Sequence, residues 1–403
     1  MNISFENSET AFAYKNDKEL KRAKFLFNSM GKEWLVKLGL KITPLALKMR
    51  LPVKGLIKET IFKQFVGGET LQETSSVAEK LGQYNVKVIL DYGVEGKEGE
   101  ENFDQATSEF IKVIQYAGTQ NNIPFMSVKL TGFSRFELLQ KMDVGSIYND
   151  VIQGKIPAEL LDADERKEWE RVVVRLQKIC KIAEETNVGV LIDAEESWIQ
   201  DPVDALTIQM MQQFNRHKAV VYNTAQLYRK DRLQFVKDVG KFARENNFIP
   251  ALKLVRGAYM EKERRRAEEL NYSSPINESK QATDHEYNAA LEFCINPENK
   301  FCLIVGSHNE HSNLLAVELM EKFNMAHNDP RVYFSQLYGM SDNITFNLAK
   351  AGCLVSKYLP FGPIKDVIPY LMRRAQENSS VSGQTGRELL LIKKELKRRG
   401  LQD

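Results

Sequence analysis

Eight short runs of apolar and β-branched residues recur along the chain, each followed by a polar break and then a stretch with helical spacing. They are VKVILDY (86–92), PFMSVKLTG (124–132), VGVLIDAEE (188–196), KAVVYNTAQLY (218–228), PALKLVRGAY (250–259), KFCLIVGSHN (300–309), RVYFSQLYG (331–339) and GCLVSKYLPFG (352–362). Pieces such as VLID and CLIVG are almost continuously apolar, the pattern of parallel strands covered on both faces. Strand alternating with helix calls for a parallel sheet, and eight such units close a (β/α)8 barrel. The competing open doubly wound sheet lacks the GxGxxG turn that a dinucleotide fold of that kind places after its first strand.

The expected architecture is α/β: a TIM-type (β/α)8 barrel over 86–380, a helical N-terminal arm over 1–85 and a basic helical tail over 381–403. Of the 403 residues, 43% are hydrophobic and 27% charged, which suits a large packed core and excludes wholesale disorder. No stretch approaches the ~20 uninterrupted apolar residues of a membrane-spanning helix. The start lacks the basic head and apolar run of a secretory signal, so a cytoplasmic protein is expected. Cys180, Cys294, Cys302 and Cys353 form no CxxC pair, which fits reduced thiols better than disulfides or zinc. His308 and His311 have no third ligand beside them, so no metal is expected.

The net charge of +2 hides an asymmetry. Between Lys15 and Lys63 stand thirteen Lys/Arg and four Asp/Glu, an excess of +9, so the rest of the chain sums to −7. Phe25, Phe27, Trp34, Leu38 and Leu40 interleave with these cations. Such a segment suits either a helical arm with a solvated basic face or peripheral contact with an anionic membrane surface. The tail RELLLIKKELKRRGLQD has the same two readings. No nucleic-acid reading module accompanies the basic residues, so nucleic acid is not an expected partner.

In a barrel, function gathers at the carboxyl ends of the strands. Those ends carry Lys129; Asp193, Glu195 and Glu196; Gln226 and Tyr228; Lys253, Arg256 and Tyr259; Ser307, His308 and Asn309; Gln336 and Tyr338. Any one of them could belong to a buried ion pair at the mouth, but their convergence indicates an active site. In KYLPFGPIKDVIPYLMRRAQEN (357–378), Gly362 and Pro363 end the last strand and open a helix. Arg373 and Arg374 follow about three turns in, with Glu377 one turn further. Adjacent guanidinium forks match a carboxylate or phosphate, and a solvated pair bonded to Glu377 is the other reading.

KLVRGAY (253–259) with YLPFGP (358–363) and PYLMRRAQEN (369–378) closely resembles the proline dehydrogenase family of flavoenzymes. SVKL (127–130), LIDAEE (191–196), AQLYRKD (225–231), ATDHEYN (282–288), SHN (307–309) and QLYGM (336–340) match in the same order, and FVGGET (65–70) resembles the entry segment. The resemblance, over about residues 65–380, implies a distorted (β/α)8 barrel with FAD at the carboxyl ends of its strands. It also implies a final helix over the barrel mouth, whose Arg373 and Arg374 hold the carboxylate of L-proline with Lys129 as a third cation. Tyr259, Leu337 and Tyr358 match positions that enclose the pyrrolidine ring, and Asp193 matches an acidic position of the site. Gln226, Arg256, Gly257, Ala258, Ser307, His308 and Asn309 fall on FAD-contacting positions. Ala194 offers a backbone contact, and Glu377 resembles a residue linking the last helix to the cofactor. The resemblance also places Lys253 beside the flavin N5/O4 edge, where bacterial relatives often carry Arg, which would keep the charge and lose the fork geometry.

The implied reaction moves a hydride from the ring carbon next to nitrogen onto flavin N5, giving 1-pyrroline-5-carboxylate. The electrons are expected to pass to membrane quinone, with the enzyme peripheral on the inner face of the membrane. The product is expected to pass to a separate pyrroline-5-carboxylate dehydrogenase, because no aldehyde dehydrogenase half follows the barrel. Asp193 and Lys253 are the candidates nearest the chemistry, and no side chain is assigned as base for the substrate amine. Three alternatives stay open: a hydroxyproline dehydrogenase of the same family, an aldolase barrel using Lys129 or Lys253 as Schiff-base nucleophile, and a silent binding scaffold.

Overall fold

The computed structural model describes residues 3–32, 34, 54–93, 98–145, 148–155, 158–380 and 382–401. Much of the basic segment of the arm, residues 35–53, lies outside the described residues. All eight expected strands form: β1 (Val86–Tyr92), β2 (Phe125–Val128), β3 (Gly189–Ile192), β4 (Val221–Gln226), β5 (Ala251–Val255), β6 (Cys302–Gly306), β7 (Val332–Leu337) and β8 (Val355–Phe361). They join in chain order into one closed barrel. Every pairing with a described register is parallel, and β1 runs beside β8 from Val86 against Val355 to Tyr92 against Phe361. Val86, Val88, Ile89 and Leu90 are all fully buried, which is why apolar residues dominate the strand. β1 fills its whole run and the other seven strands are shorter than theirs, so Lys129, Asp193 and Arg256 lie just beyond strand ends.

The chain divides into two compact units, one of residues 95–335 and one of residues 1–94 with 336–403. In the first, the helix Ala163–Thr186 shows how local sequence sets the elements. Asp162 and Glu165 form a capping box at its start, and Asn187 ends it in the left-handed conformation. Trp169, Val172, Leu176, Ile179 and Ala183 recur at helical spacing and are buried.

In the second unit, the helices Asp17–Met30, Ile364–Ser380 and Ser382–Arg398 share one core. Leu20, Ala23 and Phe27 of the first meet Leu391, Ile392 and Leu396 of the last, with Phe65, Val367 and Leu371 in the same cluster. Polar contacts tie the same segments. Arg399 donates to the carbonyl oxygens of Phe12 and Lys15 at 2.9 Å each and pairs with Asp17 at 3.0 Å. Among the described residues no helix is long and apolar enough to cross a membrane.

Candidate active site

The strand ends of the 95–335 unit hold a buried ionic cluster. Ser127, wholly buried on β2, donates its hydroxyl to Asp193 Oδ1 at 2.5 Å. Lys253 on β5 places its ammonium on the same oxygen. Burial pushes the Asp193 carboxyl up, but the ammoniums of Lys253 and Lys129, with hydrogen bonds from Lys253 and Ser127, outweigh it and hold the group below its ordinary value. The carboxylate is therefore the anionic centre between two lysines, Lys129 just past β2 and Lys253 on β5.

One layer out, Gln226 at the end of β4 donates its amide to the carbonyl oxygen of Glu195 at 2.7 Å. The Glu195 carboxylate accepts from Thr131 at 2.8 Å. Gln226 is thus fixed with its amide nitrogen turned to the protein. Ala194, between Asp193 and Glu195, is half-exposed, which leaves its backbone approachable.

Beyond β5, Arg256 is spread over three partners: Asp284 at 2.7 Å, Ser307 at 2.9 Å and Ser312 at 2.9 Å, with its guanidinium 4.4 Å over the ring of Tyr287. Burial raises the Asp284 carboxyl, but Lys280 and Arg256 together bring it below its ordinary value. Gly257 sits at φ +137°, and a Cβ there would fall 2.5 Å from the Tyr228 ring, so only glycine lets the chain turn here. Ala258 is exposed, and Tyr259 is half-buried at the start of the helix Met260–Glu269. Ser307 accepts from the Asn309 N–H at 3.1 Å, and Asn309 caps the helix Glu310–Lys322 through the Ser312 N–H at 3.0 Å. His308, between them, is half-buried. A guanidinium, a serine hydroxyl and a capped helix start form a donor set suited to an anionic ligand.

The second unit places the other candidates. Tyr358 on β8 and Leu337 at the end of β7 are both half-buried, and the Tyr338 N–H donates to the Tyr358 carbonyl oxygen at 2.9 Å. The helix Ile364–Ser380 forms despite Pro369 within it, and Pro369 faces solvent. Arg374 is buried with its guanidinium 5.2 Å from the Tyr370 ring, while Arg373 is half-buried. The backbone of Glu377 belongs to that helix, and its side chain lies outside the described residues.

Three buried groups escaped the sequence reading. Ser127 lies in a run that looks like ordinary strand. Glu263 is wholly buried and accepts both the N–H and the hydroxyl of Ser197 at 2.6 Å each, a contact 66 residues apart in sequence. Lys357, the lysine inside the otherwise apolar last run, carried a visible signal, because a strand buried on both faces has no place for an unpaired ammonium. A cavity of about 920 Å3 in the first unit, lined between Glu98 and Phe103, by Arg135 and between Asp162 and Arg171, contains none of these groups.

Comparison with known proteins follows the same line. The model of the family described as proline dehydrogenase matches residues 74–387. Proline dehydrogenase 1, mitochondrial, of Dictyostelium discoideum is 33% identical over 386 residues, which cover 88% of this chain and 67% of that protein. A hydroxyproline dehydrogenase of Xenopus laevis is 32% identical over 414 residues, covering 96% of this chain and 88% of that protein. The structure of proline utilization A from Bdellovibrio bacteriovorus, inactivated by N-propargylglycine, superposes with a TM-score of 0.69 at 21% identity. That likeness concerns the fold. It covers 94% of this chain, which spans only 39% of the longer protein.

Proposed function

Because the chain belongs to the proline dehydrogenase family and is an oxidoreductase of that kind, we propose that it oxidises L-proline to 1-pyrroline-5-carboxylate with FAD as its resident cofactor. The carrying observation is the buried Ser127–Asp193–Lys253 cluster at the carboxyl ends of the strands, beside donors suited to an anionic ligand. The donor set fits a flavin dinucleotide. Arg256, Ser307, His308 and Asn309 would hold the phosphate-bearing part, and Gln226, Lys253 and the backbone of Ala194 the ring system. Gly257 and Ala258 allow close backbone approach, and Glu377 would link the last helix to the cofactor. When bound, FAD supplies hydride acceptance at its N5 atom.

The chain's own residues supply placement and charge. Arg373 and Arg374, with Lys129, are assigned to the substrate carboxylate, since charge-assisted bonds from fixed donors orient a small ring and orientation is most of the catalytic task. Tyr259, Leu337 and Tyr358 are assigned to the ring, where they exclude water and strengthen every electrostatic contact nearby. Lys253, fixed by Asp193, holds a positive charge ready where negative charge develops, with no reorganisation during reaction.

The reading divides the chain into an arm (1–85), a catalytic barrel (86–380) and a tail (381–403). It passes the electrons to a membrane quinone and the product to a separate dehydrogenase. Phe25 and Trp34, 64% and 65% exposed within the basic arm, support peripheral contact with the inner face of a membrane from the cytoplasm. Sedimentation with anionic liposomes that weakens with salt is the expected result.

The deciding experiment is the visible spectrum of the purified protein before and after anaerobic addition of L-proline. Flavin bands that bleach with proline are expected. A colourless protein, or bands indifferent to proline, rejects the reading. Hydroxyproline oxidation is the second reading, favoured by the Xenopus laevis relative, and the same experiment with trans-4-hydroxy-L-proline separates the two.

A further inference from the structure

Strand β8 carries Lys357 between Ser356 and Tyr358, and its side chain is wholly buried. An ammonium in that position demands partners. Its Nζ lies 2.9 Å from Asp342 Oδ1 and donates to the Met340 carbonyl oxygen at 2.5 Å. Asp342, itself buried, takes a second ammonium from Lys15 at 3.2 Å and the Tyr14 hydroxyl at 2.8 Å. Ser341 stands at φ +50°, unusual for a residue with a side chain, and donates its N–H to Glu388 on the helix Ser382–Arg398. Gly339 stands at φ +79°, and a Cβ there would fall 2.0 Å from the Gln64 carbonyl oxygen, while the Gln64 amide donates to the Gly339 carbonyl oxygen at 2.8 Å. The turn after β7 is therefore gripped by four segments distant in sequence: residues 14–15, residue 64, residue 357 and residue 388.

A buried ionic network is a poor way to gain stability, because apolar residues of similar volume do as well or better. What such a network does well is to select one geometry, and backbone in sparsely populated conformations persists only where its surroundings over-determine it. The geometry selected here is that of Leu337, which enters the turn, and of Tyr358, which follows Lys357. The hydrogen bond from the Tyr338 N–H to the Tyr358 carbonyl oxygen joins the two strands at that point.

We propose that Lys357, acting through Asp342 and the turn 338–341, is a positioning residue that fixes Leu337 and Tyr358 against the substrate ring, with residues 14–15 and 388 completing the grip from outside the barrel strands. The proposal rests on the assignment of Leu337 and Tyr358 to the ring, and it adds a role for the arm and tail in substrate recognition.

The test compares two ligands of the flavin-loaded protein. Cyclopentanecarboxylate presents ring and carboxylate, and acetate presents carboxylate alone. Lys357→Met is expected to weaken cyclopentanecarboxylate on the order of ten- to a hundredfold while acetate affinity and flavin content stay unchanged, because only the ring contacts lose their placement. Should Lys357→Met fail to fold, Tyr14→Phe and Glu388→Ala trim the network from its rim and are read on the same two constants. Glu388→Gln, which keeps an acceptor for the Ser341 N–H, is expected to restore ring binding relative to Glu388→Ala. A lowered melting temperature with the ratio of the two constants unchanged overturns the proposal and leaves the network as packing. If the unaltered protein binds neither ligand, the substrate assignment itself fails, and the proposal with it.

Discussion

Lys253 on β5 lays its ammonium on the carboxylate of Asp193, just past β3, and both residues are buried. The same carboxylate oxygen takes the Ser127 hydroxyl. Neither residue is a plain surface charge, and neither can be altered without exposing the other's cost of burial.

Asp193→Asn leaves a buried ammonium with its offsetting charge removed, and breaking such a pair costs about 3–5 kcal/mol. The sign with pH follows from the depressed carboxyl of Asp193. Its stabilisation is present above the ordinary carboxylate value of 3.8 and is lost as pH falls through the lower folded value. The melting temperatures of the two proteins should therefore differ most at neutral pH and converge in acid below the ordinary value. A gap that fails to narrow at any pH below 3.8 contradicts the pairing.

Arg373→Met and Arg374→Met should keep the flavin and lose affinity for proline. On the proposed assignment, each removes a charge-assisted bond worth roughly 1.5–3 kcal/mol, or about 10- to 100-fold in affinity. Steady-state kinetics with proline identical to the unaltered protein would falsify the carboxylate assignment for that arginine.

On the proposed assignment of Tyr358 to the substrate ring, its phenol would stand beside the ring carbons. A ring 4-hydroxyl set against it meets exclusion and desolvation together, which can reach several kcal/mol. The protein should strongly prefer L-proline to trans-4-hydroxy-L-proline, and Tyr358→Ser should relax that preference while weakening proline binding. The kcat/KM ratio for the two substrates measures it, and an unchanged ratio removes the discriminating role.

Glu388 should give stability a pH dependence of the opposite sign to that of Asp193. Burial first, and the Asp342 carboxylate second, push its carboxyl up to about 7 from an ordinary 4.5. The folded protein holds that proton more tightly than the unfolded chain does. Its stabilisation is complete below 4.5 and declines as pH rises through about 7. The change is on the order of 3 kcal/mol at most. Denaturant titrations of the unaltered protein and Glu388→Gln between these two pH values should show a steeper decline in the first than in the second, the raised Asp143 carboxyl contributing equally to both.

The barrel was legible because strands covered on both faces advertise themselves. VKVILDY and CLIVG fall where β1 and β6 form, and the polar ends of the runs became the candidate site. Asp193 and Lys253 were both readable as strand-end charges, 60 residues apart, but their pairing was not, since no spacing rule connects β3 to β5. The contacts of Lys15 with Asp342 and of Ser341 with Glu388 are hidden for the same reason. Helical and strand periodicities report neighbours within a few residues, whereas these partners meet only after the chain has closed on itself. Ser127 gave no signal at all, because a serine in a strand is unremarkable until its partner is known.

The pairing of the helix Asp17–Met30 with the helix Ser382–Arg398 has a consequence for how the chain is made. On the ribosome the helix Asp17–Met30 emerges with Leu20, Ala23 and Phe27 uncovered, and the residues that cover them, Leu391, Ile392 and Leu396, are synthesised much later. Roughly 350 residues separate the two helices, so at about 5–20 residues per second the apolar stripe waits some 20–70 seconds for its partner. During translation that stripe stays exposed while all eight barrel strands are made.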